Sequence, residues 1–157
     1  MEFSEIRYLH RLKSGISEVL HLKRILLVED HAAINTLRSI FLRSEGYEVV
    51  CAHDGREAHR LLETEPFHIV VTDSALPQRS GWEVASFANK LGLPVIMSSG
   101  WPVRMSAEEV SAWGVDYLCP KPCSLNQLLL LVERALRNGR KRYPRKKACE
   151  KVVPKCE

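Results

Sequence analysis

The chain has 157 residues, of which 45% are hydrophobic and 27% are charged. Such a composition suits one globular domain and excludes collagen-like, coiled-coil and wholly disordered chains. The formal net charge of +4 is uneven, because residues 140–157 hold eight Lys or Arg and two Glu and carry +6, which leaves −2 for the rest.

The N-terminal segment, residues 1–22, has apolar residues at helical spacing, which predicts an amphipathic helix. A frayed extension is the alternative.

The longest unbroken apolar run, Leu128 to Val132, is far shorter than the ~20 residues that cross a bilayer, so we expect no membrane segment. No signal-peptide pattern is found, which favours a cytoplasmic protein. The five cysteines are odd in number and lack CxxC spacing, so we predict free thiols.

Residues 23–138 alternate short apolar runs with helical periodicity, which predicts strands interleaved with helices. The predicted strands are 24–28, 47–52, 67–72, 94–98 and 115–119. Apolar residues at helical spacing mark the first helix: Ala33, Ile34, Leu37, Ile40 and Phe41. Asp54 caps a second helix that ends before Pro66, two helices follow at 82–91 and 106–113, and Ser124 caps the last, 125–137. Five such units in so few residues predict an α/β fold, a doubly wound parallel sheet with helices on both faces.

Polar side chains follow the predicted strands at their carboxyl ends. Glu29 and Asp30 come after the first strand, Asp73 after the third, Ser99 after the fourth and Lys121 after the fifth. The functional crevice of such a sheet lies at this edge. Clustered carboxylates repel one another unless a cation lies between them, and Mg²⁺ prefers oxygen ligands together with substrate phosphate. The lysine and the serine hydroxyl suit the remaining phosphoryl oxygens.

Four motifs in this order resemble the receiver domains of two-component response regulators. They are Val28-Glu29-Asp30, residues 73–81 (DSALPQRSG), residues 94–100 (PVIMSSG) and Lys121-Pro122. The resemblance covers about residues 23–138 and implies a flavodoxin-like (βα)5 fold with five parallel strands. It also implies that the chain is a phosphorelay switch and no dedicated enzyme, and that it assists its own phosphotransfer and dephosphorylation.

The resemblance assigns roles to single residues. Asp73 would accept a phosphoryl group from a histidine kinase or phosphotransferase. Glu29, Asp30, Asp73 and the backbone carbonyl of Ala75 would hold Mg²⁺. Ser99 and Lys121 would bind the phosphoryl group and signal its presence, and Pro122 would follow Lys121 through a cis peptide bond.

Three positions depart from the family pattern. Leu118 stands where the family usually has an inward-turning Tyr or Phe, and Tyr117 lies one place earlier. Ala75 and Trp101 occupy the two positions that flank the route of the hydrolytic water, and both are apolar. We therefore expect a long-lived aspartyl phosphate.

Single residues also have simpler interpretations. Taken alone, Asp73 could be a turn residue and Lys121 a surface charge. The pair Glu29-Asp30 could be a helix cap. A phosphatase would need a second acid where Ala75 stands, and a dinucleotide enzyme would need glycines after the first strand.

Partners are predicted from the last helix and from the basic segment that follows it. Leu130 and Leu131 are left over from its apolar face, which suggests a contact surface unless the N-terminal segment covers them. The expected partners are a downstream protein or a second copy that pairs through the last two helices. The basic segment 139–157 is too short for a helix-turn-helix and is expected to be a flexible tail. Non-specific nucleic-acid binding by residues 140–157 is the alternative to a solvated tail.

Overall fold

The protein was analysed as a computed structural model that describes residues 22–100 and 105–139. In these residues five parallel strands form one sheet in the order β2-β1-β3-β4-β5. The strands are β1 (Arg24–Val28), β2 (Glu48–Ala52), β3 (Ile69–Asp73), β4 (Val95–Ser99) and β5 (Tyr117–Pro120). The helices are α1 (Ala32–Ser44), α2 (Gly55–Thr64), α3 (Gly81–Lys90), α4 (Ala107–Ala112) and α5 (Leu125–Asn138). The predicted parallel α/β fold is confirmed.

Helices cover both faces of the sheet because successive strand residues point to opposite sides. Leu26 and Val28 of β1 belong to the core beneath α2, α3 and α4, whereas Ile25 and Leu27 belong to the core beneath α1 and α5. All four side chains are fully buried. The continuous apolar run of β1 is therefore explained by burial on two faces.

The edge of the sheet that carries the polar residues lies where the strand order reverses. β1 pairs with β2 on one side and with β3 on the other, and Val28 is in register with Thr72. Connections leave these neighbouring strands toward opposite faces, which opens a crevice at their carboxyl ends. Glu29, Asp30 and Asp73 lie at this crevice.

The ends of the elements refine the sequence predictions. Asp54 accepts a hydrogen bond from Glu57 N and Ser124 accepts one from Gln127 N, as helix caps do, so both predicted caps are confirmed. Strands β3, β4 and β5 begin and end one or two residues later than predicted. Asp73 and Ser99 are consequently the last residues of their strands.

Helix α1 buries a different face from the one its apolar residues mark. Leu37 and Ile40 are 56% and 60% exposed, whereas Asn35, Arg38 and Ser39 are buried together with Leu42. Arg38 faces inward because it meets the Glu29 carboxylate, and Asn35 does so because its amide donates to the backbone carbonyls of Glu29 and Ala52. The periodicity located the helix but not its inner side.

The prediction of free thiols is wrong for two of the cysteines. Cys119 of β5 and Cys123, which precedes the α5 cap, form a disulfide with Cα atoms 5.9 Å apart. The chain reverses between β5 and α5, which brings residues four apart into the range where cysteines can bond. Cys51 is a free cysteine on β2.

Several predictions lie outside the described residues: the N-terminal helix, Trp101 and the basic segment 140–157. Within residues 22–100 and 105–139, none of the helices has the length and apolar character that a membrane span requires.

Candidate phosphoacceptor site

Three carboxylates meet at the crevice. Glu29 and Asp30 follow β1 and Asp73 ends the neighbouring β3, and one ligand oxygen from each lies within 4.8 Å of the others. Glu29 is 1% exposed and Asp73 5%, whereas Asp30 is exposed to solvent. Parallel pairing of β1 with β3 places these side chains together. An open oxygen cluster of this kind suits Mg²⁺, which keeps several of its waters.

Lys121 supplies a positive charge to the same site. Its Nζ lies 2.5 Å from Asp73 Oδ2. Its backbone N–H donates to the carbonyl of Ser99 at 2.8 Å, which ties the loop after β5 to the end of β4. The peptide bond between Lys121 and Pro122 is cis. The lysine therefore pairs with one of the carboxylates and offsets part of the acidic charge.

The buried carboxyl of Glu29 has a raised pKa. Burial is the main cause, and the neighbouring Asp73 carboxylate adds to it. Lys121, the backbone N–H of His31 and the Arg38 guanidinium act in the opposite direction and offset only part of the increase. Because burial and repulsion both disfavour the ionised form, a divalent cation at this cluster would relieve both costs.

Sequence reasoning missed Arg38, which lies beneath the acidic cluster. Its Nη1 is 3.2 Å from Glu29 Oε2 and its Nη2 donates to Ser98 Oγ at 3.2 Å. The residue is 6% exposed. It thus joins the acid after β1 to a hydroxyl on β4. Its position nine residues after Glu29, on the helix that follows, was the available signal.

Asn35 is a second residue that the sequence analysis missed. Its side-chain amide donates to the carbonyl oxygens of Glu29 (2.9 Å) and Ala52 (3.2 Å). These carbonyls lie just beyond β1 and at the end of β2. Asn35 therefore fixes the backbone from which Glu29 projects.

The two serines at the end of β4 have different partners. Ser99, assigned as the switch residue, accepts a hydrogen bond at 3.3 Å from the hydroxyl of Ser74, the residue after Asp73. Ser98 accepts a hydrogen bond from Arg38 Nη2. Both serines are buried. A hydroxyl at Ser99 is hence placed beside the strand that carries Asp73.

The loop between β3 and α3 is held close to Asp73. A Cβ on Gly81 would overlap the Asp73 carbonyl oxygen, so only glycine permits this approach. Gly81 N–H also donates to the Ser74 carbonyl at 3.0 Å. Ala75, in the same loop, is exposed. The backbone that follows Asp73 is therefore held against the start of α3.

Leu118 and its neighbour Tyr117 lie on opposite faces of the sheet. Leu118 is half-buried on the face of α2 to α4, while Tyr117 is buried in the core beneath α5. Trp113 packs edge-on against Trp82 with ring centroids 6.3 Å apart, as a core aromatic does. His59 stacks on Phe87. Within residues 22–100 and 105–139, the Glu29-Asp30-Asp73 group is the one that could hold a metal, so a histidine zinc site is not found there.

Comparison with known proteins gives consistent matches. The sequence profile described as "Response regulator receiver domain" matches residues 25–133. Transcriptional regulatory protein PdtaR of Mycobacterium tuberculosis is 34% identical over 116 residues. That alignment covers 73% of this chain and 57% of PdtaR, so the chain spans little more than half the length of this curated relative.

Solved structures have the same fold. A CheY-like response regulator receiver domain protein from Methanospirillum hungatei is 33% identical, with a TM-score of 0.70 over 74% of this chain and 95% of that one. A response regulator receiver protein from Sinorhizobium medicae is 29% identical, with a TM-score of 0.66 over 78% of this chain and 99% of that one.

Proposed function

This chain belongs to the response regulator receiver domain family and so to two-component signalling, and we propose that it is a switch that accepts a phosphoryl group on Asp73. The observation that carries the proposal is the meeting of Glu29, Asp30 and Asp73 beside Lys121. The donor is a histidine kinase or histidine phosphotransferase. The chain is a phosphoacceptor that assists its own phosphotransfer and dephosphorylation.

The chemistry requires an ionised, oriented nucleophile. An Asp73 carboxylate oxygen forms the new bond to phosphorus, the bond to the donor breaks, and the electron pair leaves with the donor. Lys121 pairs with this carboxylate before transfer. After transfer its ammonium group can pair with the negatively charged phosphoryl oxygens. Glu29, Asp30, Asp73 and the Ala75 carbonyl would hold Mg²⁺, which would supply positive charge opposite the phosphoryl oxygens.

The response begins at Ser99. Its hydroxyl now bonds Ser74, and a phosphoryl group on Asp73 offers it a stronger, charged acceptor. Turning toward that acceptor moves the end of β4. Leu118 stands at the position of the family's switch aromatic, so we do not expect the usual aromatic signal in this chain.

The decisive experiment is labelling with acetyl phosphate. The full chain is mixed with this donor and Mg²⁺, and phosphate-affinity electrophoresis follows the aspartyl phosphate. Asp73→Asn should abolish the shifted band. Asp54→Asn is the matched control, because the same change falls on the loop after β2 and Asn caps a helix as well as Asp. Labelling of Asp73→Asn at the wild-type level would overturn the assignment.

The lifetime of the phosphorylated form is the second property to measure. Ala75 offers an attacking water no side-chain hydrogen bond, and Trp101 is apolar. Slow hydrolysis is expected. Ala75→Asn and Trp101→Glu should each shorten the half-life measured after the donor is removed, and unchanged half-lives in both would contradict this account.

The output side lies on β5 and α5. A groove there is lined by Leu118, Pro120, Leu130, Leu131 and Arg134, and Leu130 is 63% exposed. We assign it to a downstream protein or to homodimerisation through the last two helices. Light scattering with and without beryllofluoride distinguishes the two. Retention on heparin at low salt tests the alternative, weak nucleic-acid binding by residues 140–157.

A further inference from the structure

We propose that the Cys119–Cys123 disulfide is a reversible redox modification site that controls the placement of Lys121. The bond joins β5 to the residue before the α5 cap and encloses Pro120, Lys121 and Pro122. The enclosed lysine contacts Asp73. The redox site stands without any assumption about phosphorylation, and only its effect on phosphotransfer rests on the proposed function.

A purely stabilising role fits this bond poorly. Disulfides stabilise a fold mainly by closing long loops of the unfolded chain, and the gain falls as the loop shortens. The bonded cysteines are only four residues apart, so the entropy removed from the unfolded chain is near the minimum. What the bond constrains best is the short segment that it encloses.

That segment connects directly with the site. Lys121 donates its backbone N–H to the Ser99 carbonyl and its Nζ to Asp73 Oδ2, so it is held at both ends by residues of the site. Cys119 pairs with Ser98 in the ladder between β4 and β5. Opening the disulfide leaves this backbone bond and this ladder in place, but releases the chain on the far side of Lys121.

The two sulfur atoms differ in access. Cys119 is 3% exposed, whereas Cys123 is half-buried at the surface loop. A thiolate of a dithiol reductant therefore attacks Cys123 Sγ, the S–S bond breaks, and Cys119 leaves as a thiolate that takes up a proton. The second thiol of the reductant then displaces Cys123. Two electrons and two protons pass to the cysteines and the reductant becomes a disulfide.

Oxidation reverses this sequence. An oxidised dithiol accepts the two electrons, and both thiol protons are released to the dithiol that forms. Because the cysteines are held within bonding distance by the turn after β5, the intramolecular step needs no large movement.

The first measurement counts thiols. The full chain with Cys149→Ser and Cys156→Ser is equilibrated with reduced and oxidised dithiothreitol in varying ratio. It is then denatured and alkylated, and mass spectrometry counts the alkyl groups that were added. We expect one alkylated thiol, Cys51, in the oxidised form and three in the reduced form, with a reversible transition under native conditions. Three thiols at every ratio, or one at every ratio, would overturn the redox site.

The second measurement reads the coupling to Lys121. Amide chemical shifts of Lys121 and Ser99 should differ between the two forms, and labelling by acetyl phosphate should be about tenfold slower in the reduced form, since small misplacement of a charged group slows a reaction strongly. Cys123→Ser should behave as the reduced form at every ratio, whereas Cys51→Ser should keep the response.

These readouts separate the two proposals. Unchanged amide shifts and equal labelling rates would overturn the control of Lys121. If neither form is labelled while the thiol count and the amide shifts change, the redox site stands and the phosphoacceptor function of Asp73 fails.

Discussion

Helices α1 and α2 flank opposite faces of the same sheet and bury opposite kinds of surface. The buried face of α2 includes Ala58, Leu61 and Leu62, whereas the buried face of α1 includes Asn35 and Arg38. Helix α2 is held by the hydrophobic core, and helix α1 is held largely by hydrogen bonds and charge around Glu29. The stability of α1 therefore depends on the same groups that form the site, while that of α2 does not.

The largest effect is expected on the α2 side. Leu62 is 5% exposed, so Leu62→Ala should lower the free energy of unfolding by about 2–5 kcal/mol through lost burial and an unfilled cavity. Urea unfolding measures the loss, and Mg²⁺ affinity of the folded variant should equal that of the wild type. A change in affinity would show that α2 is not independent of the site.

On the α1 side, Arg38→Met should cost about 3 kcal/mol in EDTA, because Glu29 is left buried without its partner. Added Mg²⁺ should recover part of this loss, because the cation replaces Arg38 as the counter-charge of Glu29. For Leu62→Ala, Mg²⁺ should add no more stability than it adds to the wild type. Arg60→Met, on the exposed face of α2, is the matched control. If Arg38→Met lost the same free energy of unfolding with and without Mg²⁺, Arg38 would not act as a counter-charge of the acidic cluster.

The raised pKa of Glu29 gives a pH dependence with a definite sign. A folded protein whose carboxyl has a raised pKa binds more protons than the unfolded chain, so this group's contribution to stability falls as pH rises from the ordinary glutamate pKa through the raised one. Without divalent cations, Glu29→Gln should therefore be more stable than wild type at neutral pH. Urea titrations should show that the stability difference between Glu29→Gln and wild type shrinks as the pH is lowered. A difference that stays constant with pH would contradict the assignment of this effect to the buried charge of Glu29.

The smallest effect is expected on the exposed side of α1. Leu37→Ser and Ile40→Ser should each change the free energy of unfolding by less than about 0.5 kcal/mol, because both side chains are more than half exposed. Thermal unfolding measures this. A large loss at either position would mean that another part of the full chain covers this face.

The strands were the most predictable part of the fold, and α1 shows where such prediction fails. A run buried on two faces, such as β1, is apolar throughout, and periodicity identifies it directly. Helix α1 has an apolar stripe and a polar stripe, and hydrophobicity alone assigns the wrong one to the interior. Asn35 and Arg38 are inside because of carboxyl and carbonyl groups elsewhere in the chain, which no local pattern contains.

Of the candidate site, residue positions at strand ends were accessible from sequence, and the connections between them were not. Glu29, Asp73 and Lys121 follow from topology, since parallel strands end at one edge. The bond from Arg38 to Ser98 joins α1 to β4 across 60 residues of chain. The Cys119–Cys123 bond depends on a chain reversal that spacing alone does not encode.

The close approach of Gly81 to the Asp73 carbonyl has a consequence for engineering new loops into this scaffold. Residues 75–79 form a short, largely exposed segment between two fixed points, the end of β3 and the capping box that opens α3 at Ser80. Libraries that vary this segment in sequence would test whether it tunes the proposed phosphotransfer to Asp73. Any library that randomises Gly81 would consist mostly of chains in which β3 and α3 no longer meet.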